Sequence, residues 1–376
     1  MTNVANQTSI TSAKKIVVVG AGGNIGSHLV PHLARMSNVS RVTLIDRDVY
    51  EAKNLWSQDI SPGDVGKRKV GIQARRLRRI NHELKVETIF DAVERVPLGK
   101  IFADVILACL DSRIARQHVS QFAWRLGVPL IDAGVEPTSL LARINVYVPG
   151  ADRPCLECAW DDRDYDALEH TYPCARGASK VAATNAPSSL GALAASLQAI
   201  ECEKLLRGEF ENVAVSKQVL IDAANHKHYV TAFRRNPNCR FAAHRIWNIT
   251  KLHGSASRIS VAEVLALVPA DAGNNGSLAL RIEGKPFVKR LTCSACGDTR
   301  SLLRLECSLA ESDRLCTRCG APALAAGFDL VEELSARTLE DERLLNRSLR
   351  RLGFRNGEVF SIVESDGELH YQLEND

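Results

Sequence analysis

Residues 15–26 read KIVVVGAGGNIG, an unbroken β-branched run that passes through a glycine-rich turn into the amphipathic stretch 27–36. Ile16 to Val19 carry no polar residue, which suits a parallel strand covered on both faces. Gly20, Gly22, Gly23 and Gly26 let the backbone turn sharply and approach a phosphate without a Cβ in the way. The helix that follows would aim free N–H groups and its positive end at that phosphate. A dinucleotide fingerprint needs G-x-G-x-x-G, and here Gly26 falls one residue late. A nucleotide-binding turn and a purely structural turn both fit.

Outward from this stretch, strand and helix patterns alternate. RVTLID, residues 41–46, predicts a second strand whose last residue, Asp46, stands where a doubly wound fold puts a carboxylate on a ribose. A helix rich in Arg and Lys is predicted over 64–80, a strand over 86–90, and a fully apolar strand, ADVILACL, over 103–110, closing on Asp111. A helix over 112–126 and a buried strand over 128–133 complete the alternation. The pattern predicts an α/β fold, a Rossmann-like doubly wound, mainly parallel sheet with right-handed crossovers. Asp46 and Asp111 then share the carboxyl edge, where open α/β sheets bind ligands.

The apolar-polar alternation of 141–148 continues the sheet antiparallel. Cys155-Leu-Glu-Cys158 opens an acidic segment, 161–169, that reads as a mobile crossover loop. It leads to Tyr172-Pro173-Cys174 and a helix of small residues over 188–206, stopped by Gly208. Mixed polarity over 236–256 marks a boundary, giving domains 1–250 and 251–376. In the second, Ser260 and Glu263 form a capping box for a helix over 261–267. A helix over 339–352 ends at Gly353, and 358–363 with 368–373 reads as a hairpin around Asp366-Gly367.

With 376 residues the chain is too long for one ordinary core. A net charge of +4 gives no case for a nucleic-acid surface, and Arg75, Arg76, Arg78 and Arg79 read as a solvated helix face. No apolar run is long enough to span a membrane, and the first residues, MTNVANQTSITSA, show no signal peptide. Six of eleven cysteines form C-x-x-C pairs at 155/158, 293/296 and 316/319. In a reducing, cytoplasmic setting such pairs read as metal ligands, not disulfides. The spacing C-x2-C-x19-C-x2-C over Cys293, Cys296, Cys316 and Cys319 is a zinc-ribbon signal, which makes the C-terminal part a small α+β zinc-ribbon module.

Taken in order, the glycine turn, Asp46-x-Asp48, Asn54-Leu-x-x-Gln58, Gly66-x-x-Lys69, and the strand ending in Asp111 with Arg116 five residues on resemble the adenylating domain of the MoeB/ThiF family, and of the ubiquitin-like-modifier activating enzymes built on it. The resemblance covers about residues 14–240. It implies attack of a C-terminal glycine carboxylate on the α-phosphate of ATP, with Asp46 on the ribose, Asn54, Gln58 and Lys69 on the phosphates, and Asp111 on Mg²⁺. It also implies that Cys174, just before the helix of small residues, accepts the acyl group as a thioester, helped by a helix N-terminus, Arg176 and Lys180. The family's zinc site implies that Cys155 and Cys158 join Cys239 and His244, a Cys₃His set of Zn²⁺ ligands. A crossed pairing of 155/158 with a later C-x-x-C remains open. Implied partners are a small ubiquitin-like β-grasp protein ending in glycine, a conjugating enzyme and a second copy in a homodimer.

Two departures stand out. Ser57 occupies the place of the family's arginine in N-L-x-R-Q, and no arginine precedes Arg35, where many members carry one that reaches the neighbouring subunit's phosphates. Two missing cations weaken transition-state charge stabilisation: either Arg47, Lys53 or Arg68 substitutes, or the enzyme is slow, or it borrows charge from a partner. The alternatives are a sulfur-carrier adenylyltransferase, a branch acting on tRNA-bound threonylcarbamoyl groups, a non-catalytic scaffold, and an NAD-dependent oxidoreductase. The late Gly26 and the Asp48, Asn54, Lys69 and Asp111 set argue against the last.

Overall fold

The computed structural model describes residues 13–168, 186–241, 244–268, 278–335, 338, 342–364 and 367–374. Among these, the chain divides into two compact units, one of 13–93, 101–168 and 186–246, the other of 94–100 and 247–374.

The first unit is built on an eight-stranded sheet in the order β3-β2-β1-β4-β5-β6-β7-β8. β1 (Lys14–Val19), β2 (Val39–Ile45), β3 (Lys85–Ile89), β4 (Val105–Ala108) and β5 (Leu130–Glu136) run parallel. β6 (Leu141–Tyr147), β7 (Lys217–Asp222) and β8 (Lys227–Ala232) continue antiparallel. This is the mainly parallel, doubly wound sheet that the β1 pattern predicts. Ile16 and Val18 enter a core shared with α1 (Gly26–Leu33), α2 (Lys69–Ile80) and the helix Ser188–Arg207. The equally buried Val17 and Val19 point to the other face, since successive strand residues alternate. There α3 (Arg113–Leu126) packs on β4 and β5.

Two expectations change in this unit. α2 begins at Lys69, not at 64: Pro62–Asp64 form a 3₁₀ turn, Gly66 is left-handed (φ +81°), and 65–68 turn back beside the β2 exit, with Tyr50 N–H donating to Lys67 O and Gly66 N–H to Tyr50 O. The acidic stretch after Trp160 is folded as far as 168. Asp161 caps a short helix, α4 (Asp162–Asp166), and ion pairs from Arg113 to Asp164 (2.6 Å) and from Arg240 to Asp162 (2.6 Å) hold it down. The helix Ser188–Arg207, α5, does end at a left-handed Gly208.

In the second unit, β9 (Ile249–Leu252), β10 (Ala279–Arg281), β15 (Glu333–Ser335), β16 (Val359–Glu364) and β17 (Gly367–Leu373) form one sheet. β16 and β17 are the hairpin read from the sequence. β11 (Phe287–Cys293), β12 (Thr299–Leu305), β13 (Ala323–Leu324) and β14 (Leu330–Val331) form a smaller ribbon. Leu280, Phe287, Phe354, Phe360 and Ile362 fill the core between these elements. The helix expected over 339–352 is broken into α7 (Glu342–Leu345) and a single 3₁₀ turn, Leu349–Leu352. The reason is that 347–349 pair with 259–261 on either side of α6 (Val261–Leu265): Leu349 N–H donates to Ile259 O and Val261 N–H to Arg347 O. Residues 339–341 and Asp366 lie outside the described residues.

Candidate active site and metal centres

The irregular glycine spacing has a steric explanation at Gly20, Gly22 and Gly26. A Cβ on Gly20, itself left-handed at φ +79°, would lie 2.4 Å from the Cys109 carbonyl at the end of β4. One on Gly26 would lie 2.2 Å from the Gly20 carbonyl, so the late glycine is where α1 crosses the turn. One on Gly22 would lie 2.3 Å from the Lys69 Cβ, whereas one on Gly23 meets nothing closer than 3.4 Å. The turn is therefore threaded between β4, α1 and the Lys69 stem.

Gly22, Asp46, Asp48 and Lys69 come together at the carboxyl edge of the sheet. The Asp46 carboxylate accepts from Gly22 N–H (2.8 Å) and from Asp48 N–H (3.0 Å). Burial raises its pKa above the ordinary value, opposed by the charge of Lys69 and by those two donors. Lys69, first residue of α2, is buried, and its Nζ donates to Asp48 Oδ2 (3.3 Å) and lies 5.7 Å from the centre of the Tyr50 ring. The turn through 65–68 places that ammonium here, and the left-handed Gly66 is what turns the chain toward the site.

Asn54 closes a capping box with Glu51 on the turn Ala52–Trp56, and Gln58 N–H donates to Asn54 O (2.9 Å). Asn24, missed in the sequence, ties this loop to the glycine turn. Its amide donates to Ser57 O (2.6 Å) and to Ala186 O (3.1 Å) at the approach to α5. Two buried amide oxygens, Asn24 Oδ1 and Gln58 Oε1, have no hydrogen-bond partner in the structure.

Asp111 is exposed and, among the described residues, carries no hydrogen bond or ion pair. It lines a cleft of about 500 Å³ together with Arg116, Glu136, Arg143, Trp160 and Gln218. Arg116 is not free: its Nη1 grips both oxygens of Asp132 at 2.5 Å, and its Nη2 donates to the Leu110 carbonyl. Arg143 also reaches Asp132 (3.1 Å). Asp132 is the residue that sequence reasoning passed over. The available signal was a lone carboxylate inside an apolar strand, which has to be paired once buried. Cys174 lies outside the described residues, as do Arg176 and Lys180.

The cysteines form two clusters. Cys155, Cys158, Cys239 and His244 bring their ligand atoms within 4.8 Å of one another, as do Cys293, Cys296, Cys316 and Cys319. The three C-x-x-C pairs are thus not crossed. Tetrahedral zinc with Zn–S near 2.3 Å sets sulfur atoms roughly 3.7 Å apart. The first cluster has 3.9 Å between Cys155 and Cys158 and 3.7 Å between Cys155 and Cys239, and the second has 3.4, 3.6 and 3.7 Å. Both donor sets fit zinc. In the second, Gly297 and Gly320 are left-handed and close matching knuckles, and backbone N–H groups of Cys296 and Ala295 push the Cys293 thiol down to about 6. In the first, the His244 ring packs edge-on to Trp124, whose Nε1–H donates to the His244 carbonyl (2.6 Å). Between the two knuckle cysteines, the buried Glu157 carboxylate accepts from Gln117 (2.8 Å), Gln121 (2.8 Å) and Tyr165 (3.0 Å), which fixes the knuckle to α3 and α4.

A model of the ThiF family matches residues 2–241. The chain belongs to the ThiF family. Curated ThiF-type relatives include the sulfur carrier protein ThiS adenylyltransferase of Escherichia coli K12, 26% identical over 235 residues, 60% of this chain and 84% of the relative. The ubiquitin-like modifier-activating enzyme 5 of Oryza sativa is 29% identical over 159 residues, 38% of this chain and 37% of the relative. The adenylyltransferase and sulfurtransferase UBA4 of Yarrowia lipolytica is 29% identical over 157 residues, 41% and 38%. The chain therefore spans well under half the length of the last two. Among solved structures, E. coli MccB superposes with a TM-score of 0.51 at 26% identity, covering 65% of this chain and 69% of that one. E. coli MccB with ATP gives 0.50 at 27% identity, covering 61% and 67%. Among the described residues, no helix is long and apolar enough to cross a membrane.

Proposed function

We propose that this ThiF-family chain is an ATP-dependent adenylyltransferase that activates the C-terminal glycine carboxylate of a small ubiquitin-like β-grasp protein, takes the acyl group as a thioester on Cys174 and hands it to a conjugating enzyme. The observation that supports this most is the interlock of Gly22, Asp46 and Lys69 at the sheet edge, with a carboxylate, Asp111, that has no partner among the described residues on the same edge.

In the first step a carboxylate oxygen bonds to the α-phosphorus while the bond to the bridging oxygen breaks, and pyrophosphate leaves with that electron pair. No proton changes hands. Negative charge grows on the departing oxygens, so the need is for cations and oriented donors more than for a base. Lys69 supplies a cation already desolvated by burial, Asp46 faces the ribose, Asn54 and Gln58 the phosphates, and Asp111 would hold Mg²⁺. A bound Mg²⁺ would supply charge neutralisation on the phosphates. Arg116, held by Asp132 and Leu110 O, acts by fixing the backbone beside Asp111 and by keeping positive charge in the cleft. In the second step the Cys174 thiolate bonds to the acyl carbon and AMP departs. Zinc would be held by Cys155, Cys158, Cys239 and His244 and by Cys293, Cys296, Cys316 and Cys319, and would be structural in this reading, since protein ligands fill four positions in each. A cytoplasmic homodimer is the setting proposed.

Exchange of pyrophosphate into ATP, dependent on a glycine-ending β-grasp protein, tests the adenylation step. Asp111→Ala should abolish exchange in a folded protein, and unchanged exchange would remove Asp111 from the site. A second reading, a sulfur-carrier adenylyltransferase, is favoured by the ThiS-type relative, of which the chain covers 84%. A reductant-sensitive adduct lost in Cys174→Ala, with exchange retained, supports the thioester reading. Exchange without any such adduct supports the sulfur-carrier reading.

A further inference from the structure

Within the second unit, a cleft of about 510 Å³ is lined by Ser301, Leu302, Leu303 and Arg304 of β12 and by Arg347, Arg350 and Arg351 around the 3₁₀ turn. Leu349 and Leu352, three residues apart in a turn with three residues per revolution, are both fully buried, and this directs Arg350 and Arg351 outward. Among the described residues the guanidinium groups of Arg347, Arg350 and Arg351 have no carboxylate and no hydrogen-bond acceptor. Arg304 is only partly compensated, by Asp313 (3.4 Å) and Ser308 O (3.3 Å), and its Nε is buried without a partner. The concentration is unlike the rest of the unit: residues 247–376 hold 16 Lys and Arg against 19 Asp and Glu, a net of −3.

Four guanidinium groups in one cleft, three of them uncompensated among the described residues, repel one another until an anion arrives. Guanidinium forks match carboxylates in two-toothed pairs. β12 adds a second feature: among the described residues it pairs only with β11 and is an edge strand of its sheet, so an extended chain can lie along it. The net negative charge of residues 247–376 disfavours a long polyanion, whose phosphates would run beyond the four arginines. We propose that this cleft is a docking site for a short acidic segment of a partner protein, read by Arg304, Arg347, Arg350 and Arg351.

The test is fluorescence polarisation of the full-length protein with a labelled short poly-glutamate peptide, its poly-glutamine counterpart and a single-stranded oligonucleotide. The glutamate peptide should bind, weaken as salt rises, and lose on the order of tenfold in affinity with Arg350→Glu plus Arg351→Glu, because two attractions become repulsions. Arg350→Gln plus Arg351→Gln, which keeps the exposed surface uncharged, should give a smaller loss, and charge reversal at Arg78 and Arg79 on α2 should give none. Zinc content and thermal unfolding verify that the variants fold. Equal binding of the glutamine peptide, or equal loss from the α2 reversal, overturns the proposal. Tighter binding of the oligonucleotide, lost with the same arginines, replaces it with a nucleic-acid site.

Discussion

Gly22→Ala isolates the contact on which the adenylation site turns. Gly22 lacks the left-handed conformation of Gly20, so alanine is allowed on backbone grounds and the whole effect is steric. The new methyl would sit 2.3 Å from Lys69 Cβ, 2.8 Å from its Cδ and 2.9 Å from its Cγ. Reaching an ordinary contact of 3.4 Å requires a shift of roughly 1.1 Å, and a Cβ cannot swing aside as a side-chain tip can. Overpacking of this kind costs about 1–3 kcal/mol of stability. A 1 Å displacement of a positioned group costs on the order of 100-fold in rate. The assay pairs urea unfolding with ATP–pyrophosphate exchange, and the control is Gly23→Ala, whose methyl meets nothing closer than 3.4 Å. Gly22→Ala should lose both stability and exchange while Gly23→Ala loses little of either. Equal behaviour of the two variants, or normal exchange in Gly22→Ala, would refute the claim that the Gly22–Lys69 packing builds the site.

Zinc release on denaturation, followed with a colorimetric chelator, should give two ions per chain, and Cys239→Ser should lose one of them without disturbing the Cys293 cluster. Lys285→Met in the second unit should cost stability in urea unfolding, toward the low end of about 3–5 kcal/mol, because it leaves the fully buried Glu358 carboxylate (2.8 Å from Lys285 Nζ) with only the 3.5 Å pair to Arg355 Nε and the Val96 carbonyl without its donor. Adding Glu358→Leu should recover part of that loss. Asp46 has a folded pKa raised above 3.8 by burial, so the folded state binds the extra proton, and the stability it contributes at low pH is lost as pH rises through the window above 3.8. Unfolding free energies of the wild type and Asp46→Asn should therefore diverge in favour of Asn as pH rises above 3.8, and a flat difference would count against the shift.

Local chemistry was readable because it depends on neighbours in the chain. The apolar β1 run, the Ser260 capping box, the Gly208 stop, the β16–β17 hairpin and the knuckle spacing of Cys293 to Cys319 all follow from periodicity, backbone freedom or ligand reach over a few residues. The order of the Asp46, Asn54, Lys69 and Asp111 motifs carried the family. What the sequence left undetermined was set by contacts between distant residues. Which C-x-x-C pair joins Cys239 and His244 depended on how α3 and α4 hold the Cys155 loop through Glu157. The start of α2 depended on 65–68 pairing with the β2 exit, and the break after α7 on 347–349 pairing with 259–261. Arg116 has the spacing of a ligand-binding arginine, yet its guanidinium is held by Asp132, sixteen residues away and one strand over. The glycine spacing shows the division most sharply. The sequence supplied four glycines in an irregular pattern, and only the packing of Cys109, Gly20 and Lys69 around them decided that three are sterically required and Gly23 is not, because a missing Cβ matters only where another atom occupies its place.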